Sequence, residues 1–364
     1  MIIDSFLAIR NTQTARSIPK NALTAAVDVD ISDTGVLSAR AGYVLSQTIP
    51  ISSAYGTLDR RAFIVSAGVL YEVLADMSLI PIAPCTAAEF DEFKDVLVTV
   101  DGLLVQDRLA VNLKIPVPQA APNLTLIQGG LPAGTYRAVS CFRTAAGLEG
   151  GASPLAEMTL TAPGAFTIAE PGPPAGFSAV TYVTEGDGSV FYDASGVQIN
   201  PLQLTSGTLP DGELIAFHDS RLWLSLSLPN GSSVIYFSQP FHYHLWNLEA
   251  DFLMIPGQVR AIKSAGAALI IGAHNALYAY ADTLTVLADY GVVPGRPMVK
   301  TETGGVLIWT QRGVCSALPF ANLTEAKASF APGTQCSTAL MDSNGIRRFV
   351  ALTPGDGEAF NARS

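Results

Sequence analysis

Short apolar strands recur along this chain in pairs and triples, each pair joined by a small or charged turn. Residues 62–73 read AFIVSAGVLYEV, and residues 95–105 read DVLVTVDGLLV. Further copies run over 212–227, 261–280, 304–317 and 345–352. One hairpin cannot bury its own apolar face, so units of this kind must stack on one another. Small sheets repeated without intervening helices predict an all-β fold, a β-propeller-like ring of roughly five to seven blades. Helix content is expected below about 15%, well under the usual third. Such an architecture names no function by itself.

Composition bounds the functional classes. The chain has 364 residues, of which 49% are hydrophobic and 14% charged, so a sizeable core is easy to build and much of the surface must be neutral. Large neutral surfaces often lie against other subunits. The formal net charge of −10 argues against a dedicated nucleic-acid clamp, which needs a basic face to replace counterions. A neutral or acidic channel through which DNA slips without sticking is compatible with it. Cys85, Cys141, Cys315 and Cys336 form no C-x-x-C pair and are too sparse for a disulfide scaffold. Cys141 and Cys315 stand among apolar residues and read as small buried hydrophobes. The opening Met1-Ile2-Ile3-Asp4-Ser5-Phe6 has no basic n-region, so no secretory signal is expected there. No apolar stretch reaches the roughly 18 residues of a membrane span.

The pattern changes at Ile115-Pro116-Val117-Pro118-Gln119-Ala120-Ala121-Pro122, whose prolines make a stiff linker. Beyond it, Gly134 to Phe142 alternates as a strand, 145–154 is a Gly-rich turn, and Val180 to Tyr192 reads as a hairpin. This is the grammar of a fibronectin-III/Ig-like β-sandwich of roughly 90 residues. We therefore expect an inserted sandwich over 117–206 and a discontinuous propeller-like body over 1–116 and 207–364. Within the body, 21–27 fits a short helix or an extended strand, and Asp33-Thr34-Gly35 marks a turn between strands. Strands near 345–352 are placed to pair with strands near 27–44 and close the ring. Residues 85–95 read as a connection, with Thr86 a plausible cap for one helical turn. The tail from Pro354 to Ser364 reads as loose.

No phosphate-binding loop, dinucleotide fingerprint, zincin motif or nucleophile elbow occurs. His242-Tyr243-His244 would place two imidazoles on one face of a strand, with His218 and His274 as further ligands. An aromatic loop is the simpler reading, and no metal or cofactor is expected. Asp28, Asp30 and Asp33 lack the bidentate Glu of a calcium loop and read as turn chemistry. Glu89, Asp91 and Glu92 would serve as paired carboxylates for glycoside cleavage, but adjacent acids on a connection are usually solvated, so no catalytic residue is assigned. The densest aromatic cluster is Trp223, Tyr236, Phe237, Phe241, Tyr243 and Trp246. Trp223 and Tyr236 read as core. Phe241, Tyr243 and Trp246, in a loop, are the candidates for partner or receptor contact.

Three stretches carry a family likeness. They are Val29 to Tyr43 with its Arg40-Ala41-Gly42-Tyr43 end, Gly134-Thr135-Tyr136 with Gly147-Leu148-Glu149 and Ser153-Pro154, and Arg221-Leu222-Trp223 with Tyr236-Phe237-Ser238-Gln239-Pro240 and Trp246. Together they resemble tail structural proteins of bacteriophages and prophages, of the tail hub, nozzle or stopper type, over nearly the whole chain. The resemblance implies a propeller-like body with an inserted sandwich, and a non-enzymatic role in the virion tail after synthesis in the host cytoplasm. It also implies other tail subunits as partners and a homo-oligomer or ring in the particle, and it is compatible with transient passage of DNA without specific binding. The alternatives are a receptor- or glycan-binding tail tip protein and a propeller-type polysaccharide-degrading enzyme.

Overall fold

The computed structural model describes residues 22–23, 29–31, 37–39, 48–325, 331–343 and 346–353. Among these the chain is all-β and built from many small antiparallel sheets; the sole helical element is a 3-10 turn, Pro201–Thr205.

Five four-stranded sheets account for most of the body. The first holds Ser53–Gly56, Ala62–Ser66, Val69–Val73 and Leu79–Pro84, and the second Phe90–Phe93, Val96–Thr99, Leu103–Gln106 and Leu109–Asn112. The third holds Leu214–His218, Arg221–Ser227, Ser233–Phe237 and Phe252–Ile255. The fourth holds Val259–Ala265, Ala268–Ala273, Leu277–Ala281 and Thr283–Ala288, and the fifth Met298–Lys300, Val306–Thr310, Gly313–Ser316 and Ala321–Asn322. In every sheet the strands pair in chain order as an antiparallel meander. Two-residue turns supply the tight hairpins: Ala67-Gly68, Asp107-Arg108 and Asp219-Ser220 have positive φ at both residues, as the twist of flanking strands favours.

The sheets stack face on face in chain order, and apolar clusters fill each gap. Phe63, Leu70, Phe90 and Leu97 join the first and second sheets. Val98, Ile215, Leu222 and Trp246 join the second and third. Trp223, Ile235, Ile262 and Leu269 join the third and fourth, and Ile270, Leu277, Met298 and Ile308 the fourth and fifth. A strand covered on both faces loses its alternation. Accordingly all six residues of Ala268–Ala273 are buried.

The segment 85–95 corrects the sequence reading. It is no helical turn but contains Phe90–Phe93, the leading strand of the second sheet, and the Thr86 N–H donates to Asp101 Oδ2 at 3.1 Å. The leading strands Ser53–Gly56 and Met298–Lys300 are likewise too short to carry a pattern, whereas Leu214–His218 and Val259–Ala265 overlap the stretches read as strand units.

Between the second and third sheets the chain builds two further sheets. Gly134–Thr144 pairs with Phe177–Thr184 on one side and with Glu149–Ala152 and Ala156–Leu160 on the other, and Phe191–Tyr192 extends the sheet. Asn123–Leu131 and Gly164–Ala169 form a separate ribbon. Val139, Cys141, Tyr182, Phe191 and Ile199 make a core of their own. The Gly-rich stretch contains the strand Glu149–Ala152, where Gly151 is required sterically: a Cβ there would overlap the carbonyl oxygen of Ser206.

Past the fifth sheet, Cys336–Ser343 pairs antiparallel with Ile346–Leu352 and parallel with Gly295–Arg296. Val29–Ile31 pairs with Leu37–Ala39. Among the described residues no ladder joins these two pairs. The turn at 33–35, the tail from 354 and all of 21–27 except 22–23 lie outside the described residues.

Candidate functional site

The leading strands of the five sheets meet at one point, and charge concentrates there. Asp91, on Phe90–Phe93, is completely buried. Its Oδ1 accepts from Lys263 Nζ at 2.9 Å, and its Oδ2 accepts from Lys300 Nζ at 2.9 Å and from the Phe217 N–H at 2.7 Å. One carboxylate thus ties the leading strands of the second, third, fourth and fifth sheets. Lys263 also donates to the Phe90 carbonyl and Lys300 to the Glu92 carbonyl. Burial by itself would raise the Asp91 carboxyl, but the two ammonium groups and the amide outweigh it and hold it below the usual range.

Its neighbour behaves oppositely. Glu92 accepts from the Leu58 N–H at 2.9 and 3.1 Å and from the Tyr55 hydroxyl at 3.4 Å, which joins the first sheet to the second. Burial pushes the Glu92 carboxyl up, and the nearby Asp91 and Asp59 add to this. Burial also carries the Tyr55 phenol well above its usual value. Arg296 donates to Glu89 at 3.1 Å and to the carbonyls of Ala54 and Ala88. At the far end of Leu214–His218, His218 Nδ1 lies 2.9 Å from Ser264 Oγ, and burial lowers its imidazole.

These groups divide the centre into two hollows. One, of about 440 Å³, lies at the starts of the leading strands and is lined by Tyr55, Glu89, Arg260, Lys263, Arg296 and Lys300 among others. The other, of about 590 Å³, lies at their ends, beside Asp59, Phe93, Ser264 and Glu302. Glu92 and Lys300 border both. A DNA duplex cannot thread this axis, because side chains bond across it at 2.9 Å.

The reading of Glu89, Asp91 and Glu92 as solvated is corrected. Asp91 and Glu92 are buried, and Glu89 is ion-paired to Arg296. The sequence signal that could have found the site is a lysine directly after two apolar residues of a leading strand, as in Ala261-Ile262-Lys263 and Met298-Val299-Lys300.

The aromatic loop is split by the structure. Phe241 is 73% exposed, whereas Trp246 is 0% exposed, so Trp246 cannot touch a partner. Trp246 fills the gap between the second and third sheets, and its Nε1–H donates to the Tyr243 carbonyl at 3.0 Å. Tyr243 is half-buried, its ring 5.4 Å from that of Phe217. The same loop docks on the segment 123–207: the Gly207 N–H donates to the Trp246 carbonyl at 2.7 Å, and Asn200 Nδ2 lies 3.2 Å from His242 Nε2. His242 and His244 lie in this loop, not on a strand, and burial lowers His244 to about 4. Among the described residues no group of three or more His, Cys, Asp or Glu is placed to hold a metal ion. Nor is any helix among them long and apolar enough to cross a membrane.

No protein-family model matches the chain, and no curated protein matches it. Solved structures give only distant likenesses. One is an extracellular domain assigned to a hybrid two component system of B. thetaiotaomicron, with 10% identity and a TM-score of 0.31 over 80% of this chain; this chain spans 34% of that one. Another is a protein assigned as a 6-phosphogluconolactonase from Bacteroides uniformis, with 13% identity and a TM-score of 0.34 over 87% of this chain and 92% of that one. A third is the WD40 repeats of RRP9, with 10% identity and a TM-score of 0.26 over 73% of this chain and 88% of that one. At these scores the likenesses carry no argument about what this chain does.

Proposed function

We propose that the chain is a non-enzymatic structural component of a bacteriophage tail, a β-propeller-like ring with an inserted sandwich at 117–206 that acts by occupying a place among tail subunits. The observation that carries this reading is the use of the central charges. Asp91, Lys263, Lys300, Arg296 and Glu89 are spent on bonds between sheets, which fits a rigid part better than a reacting centre. The motifs quoted for the tail family support it from the sequence side. The test is to locate the chain in purified particles by reconstruction and to delete its gene. Defective tails are the expected phenotype, and normal infectious particles lacking the chain would end the proposal.

A receptor-binding tail tip is the second reading, and exposed Phe241 favours it. Loss of adsorption by particles carrying Phe241→Ser, with assembly intact, would move the reading there. The polysaccharide-cleaving alternative is not favoured, because Glu89 is held by Arg296 and Glu92 by the Leu58 amide.

A further inference from the structure

The hollow at the starts of the leading strands has an imbalance of charge that the inter-sheet bonds do not use up. Four cations border it: Arg260, Lys263, Arg296 and Lys300. Three carboxylates stand near them: Glu89 and Glu92 in the wall and Asp91 behind it. Lys263 and Lys300 share Asp91, and Arg296 takes Glu89. Arg260 is the cation with no carboxylate among the described residues. It is half-buried and donates one hydrogen bond, to the Val292 carbonyl at 2.9 Å. A guanidinium carries five N–H donors and an ammonium three. Among the described residues Arg260 therefore engages one of its five and Lys300, which donates to Asp91 and Glu92, two of its three. A charged donor of this kind makes shorter and stronger hydrogen bonds to an oxyanion than to a neutral acceptor.

We propose that this hollow is a binding site for a small ligand carrying a carboxylate or phosphate group, with Arg260 and Lys300 on the oxyanion. At about 440 Å³ its volume falls within the usual range for small-molecule sites. The rest of the wall includes Tyr55, Phe63, Ile64 and Met298, which suits a ligand with an apolar or ring-shaped body behind its charge. An arginine fork donates to either oxyanion in a bidentate manner, so the shared chemistry is an oxyanion and the experiment separates the two sources.

The full chain is titrated by calorimetry with inorganic phosphate, citrate and glucuronate in separate runs at low chloride. Saturable one-site binding of at least one probe is expected, and the probe that binds identifies the class. Arg260→Gln breaks no ion pair, so its unfolding midpoint without ligand should match the parent, while affinity falls by about tenfold or more. Arg260→Lys should recover part of the loss. Phosphate also stabilises proteins by exclusion from their surface, so a thermal shift shared equally by parent and Arg260→Gln counts against the site. Should Arg260→Gln fail to fold, a ligand-soaked crystal of the parent decides, with density expected against Arg260. Absence of binding by all three probes, or density only outside the hollow, overturns the proposal.

Discussion

The Asp91 carboxylate accepts from the Lys263 ammonium at 2.9 Å across 172 positions of sequence, and it accepts from Lys300 at the same distance. One acidic group therefore neutralises part of two cations from two other sheets. A pair of this kind adds little over an apolar replacement, but removing one member strands the others in a buried place. Asp91→Ala leaves two ammonium groups and the Phe217 amide without their acceptor. We expect it to lower stability by about 3–5 kcal/mol, measured by urea denaturation. A loss under about 0.5 kcal/mol, the size typical of a surface site, would mean the leading strands do not converge on Asp91.

Asp91 and Glu92 should act on stability with opposite signs as pH changes. The Asp91 carboxyl is held below its unfolded value, so its contribution is present above that value, about 3.9, and is lost as pH falls through the lower folded value. The Glu92 carboxyl is raised, so its contribution is complete below about 4.3 and is lost as pH rises through the higher folded value. Glu92→Gln should remove the decline above about pH 4.3 while leaving the acid-side decline in place. Denaturation at a series of pH values reads both limbs. An unchanged profile in Glu92→Gln would show that another group sets the upper limb.

Much of the body was legible, and the reason is local. Strand pairs such as Ala62–Ser66 with Val69–Val73 carry enough β-branched and aromatic residues, and clear enough turns, to be read without tertiary information. The leading strand of the second sheet was not legible in the same way. Phe90–Phe93 reads Phe-Asp-Glu-Phe, which looks like an acidic surface link because Asp91 finds its lysines only in sheets built later in the chain and Glu92 its donors, the Leu58 amide and the Tyr55 hydroxyl, only in or beside the first sheet. Trp246 was misread for a related cause. Its loop is irregular, and the surface it covers comes from the second sheet and from the segment ending at Gly207. In both cases a long-range partner decides what the residue does, and composition near the residue says nothing of it.

Phe241 and Trp246 lie five residues apart and should respond very differently. Phe241 is 73% exposed with a positive φ of 59°, so Phe241→Ser removes almost no buried surface, and its effect on stability should stay within about 0.5 kcal/mol. Trp246 is fully buried, and Trp246→Ala should cost about 3–5 kcal/mol through the cavity it leaves. Paired thermal melts check the contrast. Comparable melts for the two variants would remove the loop from the position described.

The four cysteines are free and buried. Burial raises their thiols, Cys85 to about 11 and Cys141 and Cys336 to about 12, and raises Cys315 as well. Thiolate is the reactive form, so a native sample near neutral pH should react with a thiol reagent only on the timescale of unfolding. The same sample in strong denaturant should titrate four thiols at once. Rapid modification of any cysteine in the native protein would place that residue nearer the surface than its burial allows.

The segment 117–206 should prove separable, though not without cost. It has its own core, built on Val139, Cys141, Tyr182, Phe191 and Ile199, and its sheets pair among themselves. Its ends meet the body at definite points. Gly207 donates to Trp246, and Leu148 packs on the cluster that holds Trp246, Leu113 and Leu209. Replacing the segment with a short Gly-Ser linker should leave a body that unfolds in one cooperative step, because the clusters between the five sheets draw almost wholly on residues outside it. The uncovered loop around His242 and Trp246 should lower the melting temperature by several degrees, the size expected when about 1–2 kcal/mol is lost from a domain of this size. Calorimetry of the shortened chain is the measurement. A shortened chain that aggregates without a folding transition would show that the segment is part of the body's core.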